Sequence, residues 1–114
     1  MSKIKINFLW KIGRFIYKNQ NKCLNITSKC SLFLSYYYGN SFLFSNENIF
    51  LFKKLYLYFP VYIDKMNSLK WDFYRELLQL KRNECYFYYR IVLFCNSELI
   101  DIKSMINNDI YYRI

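Results

Sequence analysis

The sequence predicts an all-α fold: a single small domain over residues 1–114, with about five to six helices in a helix-turn-helix-like arrangement. Three observations predict it. Apolar residues recur at helical spacing through five segments. Strand-like character is confined to FLSYYY, residues 33–38, whose aromatic run would also suit a strand by propensity. A chain of 114 residues can bury one core but not two.

The first predicted helix, about Lys5 to Lys18, places Phe8, Ile12, Phe15 and Ile16 on one face and Lys11, Arg14 and Lys18 on another. The second, about Ser28 to Tyr38, stops at Gly39 and Asn40. Ser45 caps a third helix, whose stripe is Ile49, Phe52, Leu55 or Tyr56, and Phe59, and which Pro60 closes. A linker, VYIDKMN, leads to LKWDFYRELLQLKRN. Here Trp71, Tyr74, Leu77 and Leu78 oppose Asp72, Arg75, Glu76 and Gln79, which predicts one helix over 68–82 capped by Ser68 or Asn67. Lys81 and Arg82 then suit the negative end of its dipole. A fifth helix is expected over Glu84 to Phe94. A sixth, capped by Ser97 and running to about Asn107, carries Leu99, Ile102, Met105 and Ile106.

The composition points to an AT-rich genome. Ala and His are absent, whereas Ile, Asn, Lys, Phe and Tyr abound. The aromatic excess is therefore expected to fill the core and cover helix surfaces rather than form a stacking platform for single-stranded nucleic acid. The net charge of +9 is uneven, because the first 46 residues hold seven basic residues and no acidic one. A basic N-terminal half suits an anionic partner, either nucleic acid or an anionic membrane surface.

No apolar run is long enough to span a bilayer, and no leader with a cleavage site precedes the first helix, so a cytoplasmic location is expected. Cys23, Cys30, Cys85 and Cys95 form no C-x-x-C pair and have no His beside them, which predicts reduced thiols, no metal site and no cofactor. The sequon at Asn25 carries no meaning without secretion.

The order of motifs resembles the N-terminal helical domain of the YhcG-type nucleases. It is carried by WKIGRFI, FSNENIFLFKKLYLYFP, LKWDFYRELLQLK and FYYRIVLFCNSELIDIKSMINNDIYYRI. The matching positions are Ile12, Gly13 and Arg14, then Phe44, Ser45, Asn48, Ile49 and Tyr56. Leu69, Trp71, Tyr74, Leu77, Leu78 and Lys81 follow, with Tyr111 and Arg113 at the end. Phe52-Lys53 stands where the family has Met-Arg, Phe73 where it has His, and Ser97 and Ser104 where it has Trp and Arg. These losses argue against strong or specific DNA binding.

The resemblance implies a non-catalytic, nuclease-associated module left as a truncated or split protein, because the family's PD-(D/E)XK-type nuclease domain has no counterpart here. The chain's abrupt ending after a helix suggests the same. The triplet Asp101-Ile102-Lys103 matches acid-x-Lys, but it falls in a predicted helix without a partner carboxylate, so no catalytic residue and no enzymatic activity are expected.

Binding to DNA or another nucleic acid would use phosphate contacts, for which Arg14, Lys53, Lys54, Arg75, Lys81 and Arg82 are the candidates. The alternative is a protein-protein role, docking on a separately encoded nuclease subunit or on a second copy through Trp71, Tyr74 and Tyr88. The sequence leaves the oligomeric state open.

Overall fold

A computed structural model describes residues 4–95, and the chain divides into two compact units, Met1–Ser68 and Leu69–Ile114. All regular structure among the described residues is helical. The first unit holds α1 (Ile6–Asn19), α2 (Ile26–Tyr38), α3 (Asn46–Tyr58) and a 3₁₀ turn over Asp64–Ser68. The second holds α4 (Trp71–Leu77) and α5 (Arg82–Cys95). The sixth predicted helix, with Ser97, Ser104, Asp101, Lys103, Tyr111 and Arg113, lies outside the described residues.

The first unit is built on the packing of α1 against α3. α1 buries Ile6, Leu9, Trp10, Ile12, Gly13 and Ile16. Phe15, expected on this face, is exposed. The buried stripe is instead centred on the 9-12-13-16 row, and Phe15 projects past its edge. α3 buries Ile49, Phe52 and Leu55, with Phe59 directly after it, as its periodicity predicts. The indole N–H of Trp10 donates to the Phe59 carbonyl at 2.7 Å, which ties α1 to the residue that follows α3.

Local chemistry fixes the ends of these helices. Gly39 adopts φ +63°, and its N–H, like that of Asn40, returns to the Ser35 carbonyl, closing α2 in a left-handed cap that glycine enters without a Cβ penalty. The Ser45 hydroxyl accepts from the Asn48 N–H at 3.2 Å and caps α3. Between the two caps, Asn40 Oδ1 accepts from the Leu43 N–H, and Ser31 Oγ donates to the Phe44 carbonyl at 2.5 Å. These bonds seat the α2–α3 connection over the buried ring of Phe44, which meets Tyr38 and Phe52 edge to face or tilted. FLSYYY is thus helical: it lies within α2, and its Ser35 carbonyl serves the helix cap.

The helix expected over 68–82 is shorter than its pattern. Asn67 and Ser68 do not cap it, because Asn67 Oδ1 already accepts from the Asn7 N–H and the Tyr62 hydroxyl, and Ser68 Oγ donates to the Lys65 carbonyl. α4 begins at Trp71, after an extended Lys70. It ends at Leu77, where Gln79 and Leu80 turn back onto the Glu76 and Leu77 carbonyls. The break has a physical reason: one continuous helix would carry the stripe of Tyr74, Leu77 and Leu78 straight onto Lys81. Interrupting it leaves Lys81 and Arg82 exposed, and the stripe resumes at Cys85, Tyr88, Tyr89 and Val92 on α5. Tyr74 and Tyr89 pack at 6.1 Å between centroids, with Phe73 beside both.

Candidate nucleic-acid interface

Three of the six basic candidates, Arg14, Lys53 and Lys54, belong to the first unit, and their placement follows from one close approach. A Cβ at Gly13 would collide with the carbonyl of Phe52 and stand 2.9 Å from the amide nitrogen of Lys53. The backbones of α1 and α3 therefore touch where Arg14 and Lys53 follow the contact residues. Without a side chain at position 13 the helices can approach this closely; with one they cannot.

Arg14 is exposed, with its guanidinium 5.9 Å from the Trp10 ring centroid. Lys53 is partly committed, since its ammonium donates to Gln20 Oε1 at 3.0 Å and lies 5.4 Å from the Phe50 ring. Lys54 lies 5.3 Å from the Tyr58 ring. These cation–π contacts hold the charges at the surface without neutralising them.

Arg14 does not stand alone. Lys11 and Lys18 are exposed on the same helix at i−3 and i+4, so α1 presents a line of cations. Sequence reasoning placed these lysines on one face but did not count them among the candidates. The signal was available in their spacing together with the absence of any carboxylate before Glu47.

In the second unit, Arg75 is half-buried on α4, while Lys81 and Arg82 are exposed at the start of α5. They are expected at a helix C-terminus, where cations are favourable, but α4 ends at Leu77 and α5 begins at Arg82, so they stand at an N-terminus instead. Their charge adds to the positive end of the α5 dipole rather than opposing a negative one.

The aromatic residues offered for protein docking are not available as a set. Tyr74 and Tyr88 are buried, and Trp71 is half-buried. Exposed aromatics occur elsewhere: α2 turns Phe33, Tyr36 and Tyr37 outward, so part of the aromatic excess covers a helix surface rather than filling the core. α2 is apolar on both sides, and only the side carrying Ser31 and Leu34 is covered.

Among the described residues, no group of three or more His, Cys, Asp or Glu side chains is arranged to hold a metal ion, and no helix is long and apolar enough to cross a membrane. Protein-family models, curated proteins and solved structures contain no match to the chain.

Proposed function

We propose that the chain is a non-catalytic helical module that binds nucleic acid through phosphate contacts, as would befit a domain similar to the N-terminal domain of the YhcG-type nucleases. The observation that carries this reading is the exposed line of Lys11, Arg14 and Lys18 on α1, in a stretch with no carboxylate to neutralise it. Cations so placed displace the counterions condensed on a polyphosphate, which favours association without reading bases. Insertion of α1 into an anionic membrane would require its apolar face, and that face is occupied by α3.

The test is binding of a labelled duplex between about 50 and 200 mM salt, where each phosphate contact contributes about −0.9 to the slope of log K against log salt. A steep slope supports the proposal. Binding that ignores salt, or failure to bind either a duplex or a single strand at low salt, overturns it.

A further inference from the structure

We infer that the outward face of α2 is a stacking platform for single-stranded nucleic acid. This rests on the nucleic-acid reading above and deepens it by naming the form of nucleic acid that is bound. Lys29, Leu32, Phe33, Tyr36 and Tyr37 recur at helical spacing and share one side of α2. Their exposure is large for such side chains: 74% for Leu32, 65% for Phe33, 91% for Tyr36 and 68% for Tyr37. The orientation is fixed from behind, because Ser31 and Ser35 on the opposite side both donate to the Phe44 carbonyl and Leu34 is buried. The rings cannot turn inward without breaking those bonds.

The chemistry of the face selects its occupant. Three of its four large side chains are aromatic, and Phe33 and Tyr37 lie nearly parallel, with centroids 5.9 Å apart and planes 20° apart. Aromatic rings offer flat surfaces on which any base can stack. Lys29 stands one turn ahead of Phe33 on the same side, exposed, with its ammonium 3.8 Å from the Cys23 sulfur. Every charged side chain before Glu47 is basic. A second copy of the chain would set like charges against each other, whereas a nucleic-acid strand supplies both the phosphates and the bases that this combination fits. A duplex has its bases already stacked and cannot use the rings.

The experiment compares an oligothymidylate of about 12 nucleotides, within the usual 4–16-nucleotide range of single-strand sites, with an abasic strand of equal length and with a duplex. Fluorescence anisotropy reads the affinities of the full chain and of Tyr36→Ala, Tyr37→Ala and Tyr36→Phe. Tyr36 is so exposed that its replacement leaves the fold intact, which a thermal melt checks. The expected result is tighter binding of oligothymidylate than of the abasic strand, lost roughly tenfold in each alanine variant and retained in Tyr36→Phe. Equal affinity for the two strands overturns the platform while leaving the phosphate contacts of α1 standing. Failure to bind any of the three probes at low salt overturns both. A dimer in sedimentation that Tyr36→Ala dissolves also overturns the platform and gives the face to a second copy.

Discussion

Gly13 lies against the carbonyl of Phe52 with no side chain between them, so α1 and α3 meet backbone to backbone. Helix propensity alone would favour alanine at position 13 by about 1 kcal/mol. The contact reverses that sign, because the obstructing atoms are main chain and cannot swing aside. Gly13→Ala should destabilise the protein by about 3 kcal/mol or more in denaturant unfolding. Gly39→Ala is the control: nothing lies within 4 Å of a Cβ there, and only the φ of +63° resists it. Its cost should be about 1–2 kcal/mol. Gly13→Ala within about 1 kcal/mol of the parent would show that the helices do not touch.

Tyr74 and Trp71, one turn apart on α4, should separate in a thermal melt. Tyr74 is fully buried and packs against Phe73 and Tyr89, so Tyr74→Ala should cost about 3–5 kcal/mol. Trp71 stands half-buried at the first position of a seven-residue helix, and Trp71→Ala should cost clearly less. A larger loss in Trp71→Ala would overturn this division of the helix face.

Much of the first unit was legible in the sequence because its signals are local. Gly39 closes α2 and Ser45 opens α3 through bonds to residues only a few positions away, and the stripe of Ile49, Phe52, Leu55 and Phe59 needs only periodicity. What was not legible depends on competition and on distant partners. Asn67 and Ser68 are good capping residues, but Asn7, Tyr62 and Lys65 engage them first. A break before the fifth helix is legible, but its place is not: the apolar pattern runs on from Tyr74 to Val92 except at Lys81, so a reading by periodicity carries the fourth helix to residue 82, whereas α4 ends at Leu77 and α5 begins at Arg82. For the candidate site, Gly13 and Arg14 were visible as letters, but the neighbour that requires a glycine, Phe52, lies on another helix. α2 is apolar on both sides, and periodicity cannot say which side α1 and α3 leave uncovered.

Stability should fall at alkaline pH through Cys30. Burial, and secondarily the neighbouring Cys23 thiol, push the Cys30 thiol above its ordinary value of 9.0. Above that pH the unfolded chain loses the proton while the folded chain keeps it, so the native state binds more protons and stability declines as pH rises; below 9.0 both states are protonated and this contribution is flat. Replacing Cys30 with Ser should remove that part of the decline in unfolding measured across pH. An unchanged profile would place the cause elsewhere.

The purified chain should show no hydrolysis of DNA or RNA with magnesium or manganese. The motive is the proposed non-catalytic role: the acid-x-Lys triplet Asp101-Ile102-Lys103 reads in the sequence as a helix face without a partner carboxylate to share a metal. Plasmid nicking by purified protein, lost in Asp101→Ala, would overturn this expectation.

The line of cations on α1 should act on binding and hardly on folding. Lys11 and Lys18 are exposed, so Lys11→Ala and Lys18→Ala should change stability by less than about 0.5 kcal/mol. Arg14 also covers the Trp10 ring, so Arg14→Ala should cost slightly more, up to about 1 kcal/mol. Each substitution that removes a phosphate contact should weaken duplex binding similarly for all sequences and lower the salt slope by about 0.9. The combined Lys11, Arg14 and Lys18 alanine variant should therefore lose close to three such increments while melting near the parent, a separation that a purely structural role could not produce. The same titration on Arg75→Ala, Lys81→Ala and Arg82→Ala tells whether the second unit shares the footprint. A combined variant that keeps the full parental slope would remove α1 from the interface.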